Sequence, residues 1–420
     1  MRNLLPESLR RLSPDAFLLF LSRFTRLFAY GSLSVILVFY LVGLGLTEAQ
    51  VGVLLTLTLA GDLVISLVLT TRADSFGRRR MLIIGAALMA AAGAAFASTK
   101  NLFFLLVAGT IGVISPSGKE VGPFLSIEQA ALSHVVSERS RTEVFAWHTL
   151  AGSLATAFGA LFGGTAVQLL QKASVPKAES YRAVVLLYAV LGLVLASLFM
   201  RLSSAAEVAA PVKAAPSQHP VRSFMGVRQS RGVVLKLSSL FALDAFAGGF
   251  VIQSFAAYWF YLRFAVEPGK LGLIFFWANI FAGVSALLAS CLAARFGLVR
   301  TMVFTHLPSN ILLILVPLMP NLSLAVVLLL LRFSISQMDV PTRQSYLMAV
   351  VQPDERSSAG GITGAARTAG AAISPLFAGF LFSRPSLIDV PFFVAGALKI
   401  FYDALLYRQF VGLRPPEEAD

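Results

Sequence analysis

Long apolar stretches, each about the length that a bilayer requires, recur along the whole chain and alternate with short polar segments. A helix that crosses a bilayer needs about 20 predominantly apolar residues, and the pattern predicts twelve such helices. The predicted spans are 15–45, 48–71, 79–99, 102–134, 142–171, 181–201, 232–262, 269–294, 298–318, 322–350, 357–383 and 389–411. We therefore expect an all-α membrane protein with twelve transmembrane helices.

The composition supports this expectation. Of the 420 residues, 57% are hydrophobic and 13% are charged, and the mean hydropathy is +0.79. An average soluble domain has about 25% charged residues, so a soluble globular protein and a disordered chain are both excluded. Because the apolar excess extends along the whole length, a soluble enzyme held by one membrane anchor is excluded as well.

The longest polar segment lies near the middle of the chain, at 202–231, and is rich in Ala, Pro, Ser and basic residues. Such a composition is typical of a flexible linker. It predicts an N-terminal six-helix bundle over 1–201, a cytoplasmic linker over 202–231 and a C-terminal six-helix bundle over 232–420.

The two predicted bundles are similar in sequence. FAYGS at 28–32 corresponds to FAGGF at 246–250, and EQAALSHVVSER at 128–139 corresponds to RQSYLMAVVQPDER at 343–356. Because such correspondences recur in one order along the chain, we expect two pseudo-symmetric six-helix bundles. Two bundles around a central site are the architecture of an alternating-access transporter.

The net charge of +13 is compatible with a nucleic-acid partner, but Lys and Arg also accumulate on the cytoplasmic loops of membrane proteins. We therefore expect contacts with membrane lipids and none with nucleic acid. An even number of spans places both termini on one side, and the excess of Lys and Arg predicts that this side is cytoplasmic. We expect a monomer in the cell (inner or plasma) membrane.

The loop between spans two and three, TTRADSFGRRR, places a glycine between an acid and a basic cluster. With this loop and the repeated halves, the chain from 15 to 411 resembles the major facilitator superfamily. The residues that match the family's loop motif are Asp74, Gly77, Arg78, Arg79 and Arg80, whereas Thr70 stands where the family usually has glycine. The resemblance implies a cytoplasmic gating loop that stabilises the outward-facing state. In it, Gly77 would permit a tight turn and Asp74 would pair with the basic cluster or a neighbouring helix end.

Span five contains GALFGG at 159–164, which is similar to the family's antiporter motif but has Ala160 in place of proline. The alternative interpretation is structural, because small residues four positions apart, here Gly159 and Gly163, allow two membrane helices to pack closely.

Charged side chains at membrane depth are costly and therefore indicate functional sites. Our candidates for proton coupling are Asp244, Glu120, Asp339 and Asp62. Our candidates for the substrate cavity are Arg26, Tyr30, Lys119, Glu128, Gln253, Arg332 and Arg343. The resemblance implies that spans one, four, seven and ten, which hold most of these residues, line the central cavity. The alternative is that the charges form structural pairs that hold helices together.

Prolines and glycines interrupt two of the same spans, namely Pro116, Gly118, Gly122 and Pro123 in span four and Pro341 in span ten. Irregular backbone at membrane depth is tolerated where it faces a cavity, so these residues predict broken helices at a site. The alternative is that they only bend the helices.

The sequence contains no phosphate-binding loop, HExxH, CxxC or GxSxG motif, and its four histidines lack metal-ligand spacing. We therefore predict a transporter, not an enzyme, with no cofactor and no metal. Protons and a small organic solute are the expected ligands, and proton-coupled export (antiport) is the expected reaction. The alternatives are proton-coupled uptake (symport) of an organic anion, or a non-transporting sensor or lipid-handling protein on the same fold.

Overall fold

The computed structural model describes residues 12–136, 141–207, 227–352 and 355–413, and these ranges form fifteen α-helices, without a β-strand. In chain order the helices are α1 (Pro14–Gly43), α2 (Glu48–Phe76), α3 (Arg78–Ser98), α4 (Leu102–Ile111), α5 (Phe124–Val135), α6 (Arg141–Lys172), α7 (Lys177–Met200), α8 (Arg231–Gly249), α9 (Gln253–Phe264), α10 (Pro268–Phe296), α11 (Leu298–Leu315), α12 (Leu322–Ile335), α13 (Asp339–Val350), α14 (Arg356–Phe382) and α15 (Val390–Phe410).

Within the described residues, eleven helical segments are long and apolar enough to cross a membrane. The predicted fourth span, 102–134, differs from the rest because α4 ends at Ile111 and α5 begins only at Phe124. Shorter interruptions separate α8 from α9 and α12 from α13. The prediction of an all-α, multi-pass membrane protein is confirmed, and span four is two short helices on either side of an irregular segment.

The chain forms two compact units. The first comprises the described residues of Met1–Leu46, Ala60–Pro216 and Val266–Phe276, and the second those of Thr47–Leu59, Ser217–Ala265 and Trp277–Asp420. Helices α2 and α10 are thus each divided between the units. The predicted domain limits of 1–201, 202–231 and 232–420 stay a prediction, and most of the linker lies outside the described residues.

Close contact between α1 and α6 organises the first unit. A Cβ atom added at Gly159 would collide with the backbone carbonyl of Phe28, and one added at Gly163 would collide with that of Ser32. Gly31 faces the carbonyl of Thr156 in the same way. The glycine spacing of GALFGG is therefore explained by helix packing, as small residues let two membrane helices approach closely.

The corresponding helices of the second unit, α8 and α14, make an equivalent contact. A Cβ atom at Gly370 would collide with the carbonyl of Ala242, and one at Gly249 would meet the hydroxyl of Ser374. The sequence similarity between the halves thus extends to how the first helix of each half packs.

The irregular segment between α4 and α5 leaves backbone carbonyls without helical partners, and hydroxyls from neighbouring helices and from the segment itself donate to them. Tyr188 donates to the carbonyl of Val113 at 2.6 Å, and Thr156 donates to that of Gly118 at 3.3 Å. Tyr30 donates to the carbonyl of Val121 at 3.4 Å, while Ser115 donates to that of Lys119 at 2.7 Å. Because every unsatisfied backbone group is costly inside a membrane, these four hydroxyls stabilise the break that the prolines and glycines of span four predict.

Two carboxylates bind the backbone at helix N-termini outside the membrane spans. Glu207 accepts hydrogen bonds from the backbone N–H of Arg78 at 2.7 Å and of Arg79 at 3.1 Å, where α3 begins. The preceding Gly77 has φ +102°, which L side chains rarely adopt. A carboxylate here also stabilises the positive end of the helix dipole.

We expected Asp74 at this position, and its side chain lies outside the described part of the structure. Glu207 was not predicted. Of the arginines in the loop, Arg78 is buried, Arg79 donates to the carbonyl of Met200 and Arg80 is exposed. The gating role of this loop stays a prediction.

Glu355 occupies a similar place in the second unit, before α8. It accepts hydrogen bonds from the backbone N–H groups of Arg228, Gln229 and Ser230 at 2.5, 2.8 and 2.9 Å. Burial by itself would raise the pKa of Glu355, but these bonds to the charged carboxylate outweigh it and lower the pKa to about 2.

We expect Glu355→Gln to lower the melting temperature of the detergent-solubilised protein at pH 7 by about 2–4 °C. Since the folded-state pKa is depressed, the carboxylate stabilises the fold above its unfolded pKa of 4.5 and stops doing so as pH falls towards about 2. The difference between wild type and variant should therefore narrow over that interval. A difference that stays constant from pH 7 to pH 3 would contradict this account.

Candidate functional site

Four charged side chains of the first unit, Arg23, Arg26, Glu120 and Glu128, form what we call the N-terminal charge cluster. Arg26 on α1 is fully buried and binds both oxygens of the equally buried Glu128 on α5, at 2.6 and 2.9 Å. Its Nη2 also lies 3.0 Å from Glu120, which a second arginine, Arg23, contacts at 3.1 Å. Two arginines and two carboxylates thus compensate one another at membrane depth.

Neighbouring side chains fix the orientation of this cluster. Ser22 donates to Glu128 at 2.8 Å, and the guanidinium of Arg26 lies 4.7 Å above the ring of Phe124. His148 on α6 is buried, with its Nδ1 3.2 Å from Arg23. The aromatic candidate Tyr30 is buried one turn beyond Arg26 and stacks on Tyr188 with 6.1 Å between ring centroids.

Asp244, Asp339, Arg343 and Lys399 of the second unit form what we call the C-terminal charge cluster. Arg343 on α13 lies 3.0 Å from Asp244 on α8 and 3.3 Å from Asp339 at the start of its own helix. Lys399 on α15 binds the other oxygen of Asp244. The guanidinium of Arg343 also lies 5.2 Å above the ring of Phe241.

A second set of polar side chains extends the C-terminal charge cluster towards α11. His306 lies with its Nδ1 2.8 Å from Asp403 and its Nε2 3.7 Å from Asp244. Asn310, one turn further along α11, donates to the other oxygen of Asp403 at 2.9 Å. A continuous polar network therefore connects four helices of this unit, α8, α11, α13 and α15.

The two clusters occupy corresponding places in the repeated halves, but their charges are exchanged. Arg26 and Asp244 stand at the same offset as the FAYGS and FAGGF segments, and Glu128 corresponds to Arg343 in the second aligned pair. The Arg26–Glu128 and Asp244–Arg343 ion pairs are thus the same helix-to-helix contact with reversed signs. An ion pair forms whichever of the two helices carries the positive charge, so the contact between the helices is kept when both charges are reversed.

Asp62 on α2 differs from the other candidate acids. It is buried, and within the described residues no Lys, Arg or His lies within 4 Å of its carboxylate. Its neighbours there are neutral: the hydroxyl of Ser66 donates to it at 3.5 Å, and the backbone N–H of Gly122 in the irregular segment is close enough to stabilise its charge electrostatically. Gly61 brings this part of α2 against the carbonyl of Thr110, which places Asp62 beside the break.

The remaining predicted cavity residues are Lys119, Gln253 and Arg332. Lys119 is exposed on the irregular segment. Gln253 begins α9, where its side-chain oxygen accepts a hydrogen bond from Asn279 at 3.1 Å. Arg332 is half-buried on α12 beside Phe333. The structure therefore brings together Arg26, Glu120 and Glu128 in one unit and Asp244, Asp339 and Arg343 in the other.

Sequence reasoning missed several members of these networks, namely Arg23, His306, Asn310, Lys399 and Asp403. Lys399 and Asp403 were detectable, because charged residues one helical turn apart in the apolar twelfth span meet the criterion applied to the other spans. His306 carries no such local signal. Within the described ranges, no group of three His, Cys, Asp or Glu side chains is arranged to hold a metal ion.

Comparison with known proteins places the chain in a broad family. A family model described as Major Facilitator Superfamily matches residues 19–267 and 242–420. The "Uncharacterized membrane protein YJR124C" of Saccharomyces cerevisiae is 32% identical over 426 residues, which cover 96% of this chain and 95% of that protein.

The fold is similar to those of solved transporter structures, of which two serve as examples. The nucleoside transporter NupG superposes with a TM-score of 0.73 at 14% identity, over 95% of this chain and 99% of NupG. A D-xylose–proton symporter superposes with a TM-score of 0.72 at 15% identity, over 96% of this chain and 99% of the symporter.

We expect Glu128→Gln to destabilise the protein by about 3 kcal/mol, because removing one partner of a buried ion pair leaves the other charge uncompensated. Glu179→Gln is the matched control, since it breaks the exposed Glu179–Arg182 pair, and such pairs contribute about 0–1 kcal/mol. Thermal unfolding of both variants in detergent measures the difference. Equal losses of stability in the two variants would show that the Arg26–Glu128 pair does not stabilise the first unit.

Proposed function

Because this chain belongs to the major facilitator superfamily, a family of transporters and not of enzymes, we propose that it moves a small organic solute across the membrane by alternating access, coupled to protons. The observation that carries the coupling is the contrast between Asp62 and the acids in the two charge clusters. A transported proton needs a carboxylate that can change its charge during the cycle.

Protonation of Asp244 would break contacts that hold the second unit together. It would release Lys399 and Arg343, each of which would then lack part of its counter-charge. Breaking a buried pair in this way costs about 3–5 kcal/mol. Glu120 is constrained in the same way by the two arginines of α1, and Asp339 by Arg343.

Protonation of Asp62 breaks no ion pair among the described residues. The neutral acid keeps an acceptor oxygen for the Gly122 N–H, and its O–H can donate to the oxygen of Ser66. Asp62 also lies about 21 Å along α2 from Glu48, which is well inside the span. Among the four candidate acids, we therefore propose Asp62 as the first proton carrier.

The proposed site connects proton binding to the irregular segment of span four. The Gly122 N–H that contacts Asp62 lies two residues from Glu120, which binds the arginines of α1. A change of charge at Asp62 therefore acts on the backbone that positions Glu120. This short covalent path is the reason to place the coupling in the first unit.

We expect Asp62→Asn to reduce proton-driven accumulation of the solute in proteoliposomes at least tenfold, while exchange of labelled for unlabelled solute survives. The amide keeps the size of the side chain but cannot take up a proton. Asp244→Asn is the contrasting variant, and it should lose both activities and lower the yield of folded protein. If Asp62→Asn keeps proton-driven accumulation, or loses exchange to the same extent, Asp62 does not carry the coupled proton.

For the direction of transport, we propose export. A comparison of metabolites in cells and medium, between a deletion strain and an overexpressing strain, tests this. We expect one compound to accumulate inside the deletion strain and outside the overexpressing strain. The opposite pattern would establish uptake instead and contradict export.

A further inference from the structure

Two half-buried arginines of the second unit, Arg332 on α12 and Arg367 on α14, lack the carboxylate partners that the arginines of the two charge clusters have. Within the described residues, neither forms an ion pair within 4 Å. The Nε of each is buried without a hydrogen-bond acceptor, as it also is in the first-unit arginines, so the missing carboxylate is what distinguishes these two. Arg343, in contrast, binds two carboxylates. In the first unit, Arg23 and Arg26 are likewise compensated by Glu120 and Glu128.

Neither arginine is near an end of its span. Arg332 lies ten residues into the span Leu322–Val350 and Arg367 nine residues into Ser358–Phe382, or about 15 and 14 Å along their helices. These depths are about half of a hydrocarbon core of roughly 30 Å. A charged group at this depth is costly unless it faces a partner or a wet cavity.

Open space adjoins Arg367 on its own helix. Gly364 and Gly361 lie one and two turns before it, and a Cβ atom added at either would meet nothing within 4 Å. Residues three or four apart share one face of a helix, so Arg367 borders an open face of small residues. A face open to lipid would leave the charge unsolvated, so this face is best explained as the wall of a cavity.

The carboxylates of the C-terminal charge cluster lie close enough to both arginines to attract them electrostatically, but they are already engaged. Asp244 and Asp339 both attract Arg332 and Arg367 electrostatically. Asp244 is bound by Lys399 and Arg343, and Asp339 by Arg343. Asp403, the remaining acid of the network, is bound by His306 and Asn310.

We propose that the uncompensated charges of Arg332 and Arg367 attract the negatively charged group of the transported solute, which is therefore an organic anion with a carboxylate, sulfonate or phosphate group. The planar guanidinium donates two parallel hydrogen bonds to such groups. This inference rests on the proposed transport function and adds the charge of the solute to it. It also separates the solute site from Arg26 and Arg343, whose charges are compensated by the protein itself.

A first experiment needs no solute. Arg332→Gln and Arg367→Gln each remove a charge that the empty protein does not compensate, so each should raise the melting temperature in detergent, by about 2–4 °C. Arg343→Gln is the matched control from the same unit and should lower it, because Asp244 and Asp339 lose a partner. If all three variants lower the melting temperature alike, Arg332 and Arg367 are structural and the proposal is overturned.

A second experiment uses a cytosolic metabolite extract separated by ion exchange into anionic, neutral and cationic fractions. The anionic fraction should raise the melting temperature of the wild type, and this gain should fall by at least half in Arg332→Gln and Arg367→Gln. Stabilisation by the neutral or cationic fraction, by no fraction, or by the anionic fraction equally in all variants would overturn the site. A wild type that exports a neutral or cationic metabolite would overturn the anion site and leave the proposed transport intact.

Discussion

A charge placed inside a bilayer has to meet an opposite charge, a hydrogen-bond partner or water, because the hydrocarbon offers none of these. Several contacts between the helices of this protein follow from that requirement. Arg26 and Glu128 join α1 to α5, and Arg343 and Asp244 join α13 to α8. The same requirement applies to the backbone, where hydroxyls such as those of Tyr188 and Thr156 donate to carbonyls that the break in span four leaves without helical partners.

The membrane fold could be predicted from the sequence because its determinants are local. About 20 apolar residues suffice to cross the bilayer wherever they occur, so the spans were identifiable one at a time. The break in span four was predictable for the same reason, because its prolines and glycines are visible in the sequence. In the structure Gly118 and Gly122 adopt φ values of +68° and +79°, which L side chains rarely take. The identity of the charged candidates followed from their apolar surroundings.

The partners of those charges could not be predicted, because they depend on the depth and rotation of helices that are far apart in the chain. Arg26 and Glu128 are separated by 102 positions, and Lys399 and Asp244 by 155. Nothing local shows that Glu207 binds the backbone of Arg78 and Arg79. The glycines of GALFGG are a case in which the sequence pattern is similar to a functional motif, but the structure explains the glycines by close packing against α1.

The structure separates two kinds of charged residue within the same set of spans. Those of the N-terminal and C-terminal charge clusters compensate one another, so a change of charge there breaks contacts between helices and acts on the fold itself. Asp62, Arg332 and Arg367 have no ion-pair partner among the described residues, so binding of a proton or an anion there would break no ion pair. A transporter has to bind and release its ligands in every cycle. If ligand binding broke a buried ion pair, the free energy needed to break that pair would weaken binding in each cycle. For this reason the uncompensated groups, although fewer and less conspicuous in the sequence, are the better candidates for ligand contact, and the compensated clusters are the framework that holds them at membrane depth.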